Sequence, residues 1–278
     1  VSAVVAWGVP APAAHAATTT ASPTRPLWVW GKDDPQRVVD FAVAHGVDDL
    51  YVHVTPTVLT DGDLPRLRAL AQLAQAAGLT LSALGGDPAW TNRPADALAW
   101  QQAALSTGLF RAAHVDVEPY ALAGWSTPRK RAALAAKYVD LLTRLQSADP
   151  RPLEADVPFW YGTIASPTGH GTLADDVLAR VDAVTVMSYR DSAAAMVDVG
   201  RDVLQRADRL AATTGRRVPV HLAAETNPLT DCAYCTFAEE GDAALRQALD
   251  AVDVAAGAYA TYAGTAVHDL TGWSLLRP

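Results

Sequence analysis

The chain has 278 residues, half of them hydrophobic, and a formal net charge of −8. It carries no basic stripe or Lys-rich tract, which argues against nucleic acid or an anionic membrane surface as a partner. Its length suits one α/β barrel of roughly 250 residues.

Val1 to Ala14 is apolar and Ala-rich, and Ala14-His15-Ala16 fits a small-x-small cleavage pattern. Residues 1–26 therefore read as a signal-peptide remnant followed by a Thr/Ser/Pro linker over Thr18–Pro26. The expected setting is secreted; a disordered leader is the alternative. No later segment is long and apolar enough to span a bilayer.

From residue 27 to residue 278, short apolar runs alternate with amphipathic stretches. A strand over Leu27–Trp30 precedes a helix over Pro35–His45. Asp49–Val54 reads as a strand, and Gly62–Ala77 as a helix with Leu64, Leu67, Leu70 and Leu73 at three-residue spacing. Next come a strand over Leu79–Leu84, a helix over Pro94–Thr107, a strand over Ala112–Glu118 and a helix over Pro128–Ala148. Glu154–Trp160 reads as a strand, Leu173–Arg180 as a short helix, Ala183–Tyr189 as a strand and Ala193–Thr213 as a helix. A strand over Val218–Ala223, a helix over Phe237–Ala251 and a strand over Thr265–Asp269 complete the pattern. Repeated βα alternation implies a parallel sheet, and eight such units imply a closed (β/α)8 TIM barrel, class α/β, in a single domain. A doubly wound open sheet is the alternative, but no GxGxxG follows the first strand and no GxxxxGK[ST] loop is present.

His114-Val115-Asp116-Val117-Glu118-Pro119 is the most informative stretch. Strand side chains alternate, so His114, Asp116 and Glu118 share a face opposite the valines. Burial raises a carboxyl pKa, as a general acid at neutral pH requires. Other polar and aromatic residues gather at strand ends, where barrel active sites lie. They include Trp30, His53, Trp90, Asp156, Trp160, Tyr189, Arg190, Glu225, His268 and Trp273. Flat aromatic faces among them suit a sugar ring. Singly, each tryptophan could equally be core, and His53 and His268 could be hydrogen-bonded core histidines. Asp191 and Asp87 have an ordinary use as helix or turn caps. Cys232 and Cys235 form a lone CxxC, which outside the cytosol reads as a local disulfide.

These residues resemble the family 18 glycoside hydrolases, the chitinase-like barrels. Ser82-Ala83-Leu84-Gly85-Gly86 resembles that family's SxGG segment with one additional residue. Asp116 and Glu118 match the last two positions of its DxxDxDxE motif, whose first two Asp positions are Arg111 and His114 here. Met187-Ser188-Tyr189 resembles its MxYD segment, with Arg190 inserted before Asp191, and Trp273 resembles a late Trp. The layout also looks like a secreted bacterial barrel group with DVEP ending strand four and ET ending strand seven. The resemblance implies a glycosidase in which Glu118 is the proton donor, and Asp116 and Tyr189 handle a substrate acetamido group that serves as internal nucleophile.

Glu225 opens a second mechanism, similar to the large clan of retaining glycosidases with acid/base on strand four and nucleophile on strand seven. The residue before the strand-four Glu is Val117, where that clan has Asn. Both schemes make Glu118 the acid/base, with Glu225, Asp116 and Tyr189 the other catalytic candidates. Trp30, His53, Trp90, Asp156, Trp160, Arg190, His268 and Trp273 are the substrate-binding candidates. The expected partner is a carbohydrate, with no nucleic acid, no membrane and no cofactor. A non-catalytic carbohydrate-binding barrel is the alternative of another class. A metal-dependent hydrolase using His53, Asp116, His221 and His268 lacks an HxH pair after strand one and an HExxH motif.

Overall fold

A computed structural model describes residues 22–278. The candidate leader over residues 1–21 lies outside the described residues. Eight parallel strands close in chain order: β1 (Pro26–Val29), β2 (Asp49–His53), β3 (Thr80–Gly85), β4 (Ala112–Val115), β5 (Leu153–Pro158), β6 (Ala183–Met187), β7 (Val220–Glu225) and β8 (Tyr262–His268). Leu27 pairs with Val267 to complete the circle. The helices are α1 (Pro35–Ala44), α2 (Leu64–Ala76), α3 (Pro94–Ser106), α4 (Pro128–Ala148), α5 (Leu173–Leu178), α6 (Ala193–Thr214), α7 (Asp242–Ala256) and α8 (Leu270–Leu275). Thr24, inside the expected linker, bridges to Gly264, and Pro26 already belongs to β1.

Local chemistry sets the helix ends. α1, α3 and α4 begin on Pro35, Pro94 and Pro128, where a missing N–H costs nothing. The Asp34 carboxylate caps α1 by accepting from the Arg37 N–H at 3.0 Å. Gly215 ends α6 at φ 75°, a left-handed conformation that favours glycine. α6 buries Met196, Val203, Leu204 and Ala207 on one face. Each fully buried Leu, Val or Met contributes about 1.5–3 kcal/mol. This belt between sheet and helices is the main core.

Several boundaries differ from the sequence reading; β8, for one, starts at Tyr262 rather than at Thr265. α7 starts at Asp242 rather than at Phe237, because Gly241 sits at φ 91° and breaks any earlier helix. β7 starts after Pro219, which has no N–H for the ladder. β4 ends at Val115, so Asp116 and Glu118 lie just beyond it; the Asp116 N–H still donates to the Gly85 carbonyl at 3.0 Å. The alternation therefore continues past the strand. Val115 and Val117 enter the outer core, while His114 points into the barrel.

The barrel interior is largely polar. Only Trp28, Tyr51, Leu84, Ala223 and Ala266 form an apolar cluster there. Asp49, Ser82, His114, Glu154, Asp156, Thr185 and His221 are buried with them. Such interiors are usually filled by branched apolar side chains.

Candidate active site

The floor of the mouth is built from charge. His114 is fully buried, with Nδ1 3.2 Å from Glu154 Oε2 and Nε2 2.8 Å from Asp156 Oδ1. Both ring nitrogens face carboxylate oxygens, and only imidazolium can donate from both. The ring stacks on Tyr51 at 3.7 Å between centroids. Asp156 Oδ2 accepts from the Trp28 indole N–H at 3.1 Å. Toward the opposite rim, Arg111 joins Glu154 at 2.8 Å and also pairs with Asp49. Burial works to lower the His114 pKa, but the Asp156 and Glu154 carboxylates prevail and push it up to about 10.

A pH dependence of stability follows. The folded His114 value lies above the unfolded 6.5, so its stabilisation is fully present below pH 6.5 and is lost as pH rises through about 10. Urea unfolding from pH 6.5 to 10 should show declining stability, with a shallower decline in His114→Gln. Equal slopes in the two proteins would rule this out.

Above the floor, Asp116 is half-buried, and its enclosed Oδ1 has no hydrogen-bond partner. Burial first, then the Asp156 and Glu118 charges, push its carboxyl well above the usual range. Glu118 is half-buried and accepts a hydrogen bond from the Tyr120 hydroxyl. Burial raises its pKa, and the Asp156 charge adds to the rise. The Tyr120 hydrogen bond and His268 oppose this without reversing it.

Glu225 ends β7 in the opposite condition. Its Oε1 accepts from the Thr226 N–H at 2.8 Å, the Asn227 N–H at 2.7 Å and Asn227 Nδ2 at 2.9 Å. Its Oε2 lies 2.9 Å from His268 Nδ1. Burial works to raise its pKa, but these donors prevail and hold it low. His268 in turn accepts from the Trp30 indole N–H at Nε2, at 2.9 Å. That bond favours the tautomer with its proton on Nδ1, within ion-pair range of Glu225 but not aligned with it as a hydrogen bond. Glu225 pulls His268 toward the doubly protonated form, which would cost the Trp30 bond.

These groups share one mouth. The Tyr189 hydroxyl, pushed well up by burial, feels Glu225, Asp156, Asp116 and Glu118. Trp30, His53 and His268 form an aromatic corner, with Trp30–His53 centroids 5.6 Å apart and Trp30–His268 6.3 Å. Trp160 is half-buried and lies 5.2 Å from Tyr120 and 6.2 Å from Trp125, a wall beside Glu118. The Arg190 guanidinium sits over Phe159 at 4.9 Å and Tyr234 at 5.5 Å, and donates to the Tyr189 carbonyl. Tyr234 is carried by the loop that the Cys232–Cys235 disulfide closes.

Three of the expected binding residues are placed elsewhere. Trp90 is buried against Trp100, with no face free for a ligand. Trp273 is buried in the outer layer against Phe41 and His45, its indole N–H donating to Asp242. Asp156 belongs to the floor, its oxygens taken by His114 and Trp28. Tyr120, Thr226 and Asn227 contact the candidate glutamates; the sequence places them at these strand ends but assigns them no role. Their signal is position alone: each stands one or two residues after a candidate glutamate. His221 lies low in the barrel, bonded to Thr24 at 2.8 Å, apart from the other residues considered as metal ligands. Among the described residues no group of three or more His, Cys, Asp or Glu is arranged to hold a metal ion. None of the described helices is long and apolar enough to cross a membrane.

No protein-family model matches the sequence, and no curated protein matches it. Solved structures do. The PgaB (BpsB) glycoside hydrolase domain from Bordetella bronchiseptica superposes with a TM-score of 0.58 at 11% identity, over 91% of this chain and 95% of that one. A GH18 chitinase from Pseudoalteromonas aurantia gives 0.56 at 10% identity, over 90% and 94%. A chitinase from Chromobacterium violaceum gives 0.55 at 15% identity, over 91% and 97%. The chain shares the (β/α)8 fold of these barrels. At such identities the likeness is one of fold, and a function has to be argued from the mouth itself.

Proposed function

We propose that this barrel hydrolyses glycosidic bonds in a poly- or oligosaccharide with retention of configuration, Glu118 serving as acid/base and Glu225 as nucleophile. The observation that carries this reading is that the two glutamates of one mouth are displaced in opposite directions, Glu118 up and Glu225 down. Environments that push two carboxyls apart mark an acid and its ionised partner. In the first step Glu118 gives its proton to the glycosidic oxygen while Glu225 Oε2 attacks the anomeric carbon. The C–O bond breaks, the leaving sugar departs with the proton, and a glycosyl ester remains. In the second step Glu118, now a carboxylate, takes a proton from water, whose oxygen displaces Glu225. Tyr189 borders Glu225, and the Trp125–Trp160 wall stands beside Glu118, where a leaving sugar would lie.

The substrate-assisted scheme fits less well. Its cationic intermediate needs an ionised Asp116, whereas burial and two carboxylate neighbours favour the neutral form. The bonded Cys232–Cys235 pair supports a setting outside the cytosol. The test is product stereochemistry on a panel of neutral oligosaccharides, read by proton NMR within the first turnovers. The first-formed anomer should match the bond cleaved. An inverted anomer would remove Glu225 from the nucleophile role. Binding without any released sugar would leave a carbohydrate-binding barrel.

A further inference from the structure

We propose that the rim of this mouth carries a subsite for a sugar carboxylate, with Arg190 as the residue that receives it. The substrate class is then a saccharide in which a uronate stands near the bond to be cut. The inference rests on the reading of the mouth as a carbohydrate site and narrows what that site takes.

Arg190 follows β6 and is half-buried. Its guanidinium carbon lies 4.9 Å from the centre of the Phe159 ring and 5.5 Å from that of Tyr234. Phe159 comes from the segment after β5 and Tyr234 from the loop after β7, so three successive rim segments meet at one cation. Aromatic rings attract that charge but do not take up its N–H groups as an oxygen would. Nη1 donates to the Tyr189 carbonyl at 2.6 Å and lies 3.8 Å from Cys235 Sγ. Among the described residues, Nε and Nη2 have no acceptor and no carboxylate pairs with the group, the neighbouring Asp191 included. Arg25, Arg66, Arg151, Arg180, Arg206 and Arg246 are half-buried too, and each reaches a carboxylate within 3.4 Å.

The surroundings hold this cation still. The Tyr234 carbonyl accepts from the Asp191 N–H at 3.1 Å, and the Cys232–Cys235 disulfide closes the loop that carries Tyr234. The Thr236 hydroxyl donates to the Asn227 carbonyl at 2.7 Å, tying that loop back to the end of β7. Nε and Nη2 form one edge of a planar fork that matches a carboxylate by two parallel hydrogen bonds. Tyr234 is 60% exposed, a flat face for the sugar ring that bears the carboxylate. Tyr189 joins this rim to the cleavage centre. Its ring lies 6.1 Å from His268, whose Nδ1 is 2.9 Å from Glu225 Oε2. Two rings thus separate the rim cation from the candidate nucleophile, which suits a uronate on a neighbouring sugar unit rather than on the one attacked.

The experiment is isothermal titration calorimetry at low salt with cellotriose and maltotriose. Each is used as the neutral sugar, with C6 of either terminal unit oxidised to a carboxylate, and with the same C6 sulfated. At least one uronate should bind about 10–100-fold more tightly than its neutral parent, the range of a charge-assisted pair. Arg190→Gln should abolish that preference. Arg190→Lys should keep only part of it, because an ammonium lacks the fork. No preference for any uronate, an equal preference for the sulfate, or a preference that survives in Arg190→Gln would overturn the proposal. A merely structural Arg190 would lower the unfolding midpoint of Arg190→Gln and leave the preference intact. Should Arg190→Gln fail to fold, Arg190→Lys decides: a reduced preference supports the fork and an undiminished one rejects it. Binding is read without turnover. A uronate preference without hydrolysis would remove the glycosidase reading and keep the subsite; hydrolysis without the preference would do the reverse.

Discussion

Glu118→Gln should lower turnover by about 10²–10⁴-fold, the range that acid/base assistance supplies, while circular dichroism and the unfolding midpoint stay close to the parent. The fold should survive because Glu118 makes no ion pair and its hydrogen bond comes from the Tyr120 hydroxyl. Glutamine keeps the acceptor oxygen for that bond and loses only the proton to be donated. The loss should shrink on an aryl glycoside whose leaving group departs without protonation. An equally active, well-folded variant would remove Glu118 from the mechanism. On this reading the parent protein should also lose activity as pH rises through the raised Glu118 value, because the acid form that donates is then depleted.

Glu225→Ala should be more damaging, on the order of 10⁴–10⁶-fold, as for removal of an attacking group that works in concert with others. Added azide should restore turnover by occupying the vacated space and attacking the anomeric carbon directly. The product would then be a glycosyl azide of inverted configuration. Rescue without inversion, or no effect of the substitution at all, would refute a covalent role. Alanine also leaves the Thr226 and Asn227 N–H groups without their acceptor and His268 without its neighbouring carboxylate. The folded fraction therefore has to be measured beside the rate.

The barrel was legible because its signal is repetitive and local. Eight apolar runs separated by amphipathic helices leave few other architectures. Glu118 and Asp116 stood out because alternation places them opposite two valines, and that alternation continues past the last residue of β4. Residues whose role depends on register between distant strands were not legible. Nothing near Asp49, Arg111 or Glu154 in the sequence announces that closure brings them together beneath His114. Trp90 and Trp273 follow strands just as Trp160 does, yet short turns fold them under neighbouring helices. The start of α7 was misplaced because a single glycine backbone angle outweighs five residues of helical pattern.

The polar interior also restricts how this protein can change. Position 114 holds a cation wedged between two anions, where family 18 sequences carry an aspartate. Writing that aspartate in alone would crowd three carboxyl groups together, with only Arg111, already shared between Glu154 and Asp49, to offset them. A change of charge at position 114 therefore calls for a matching change at position 154 or 156.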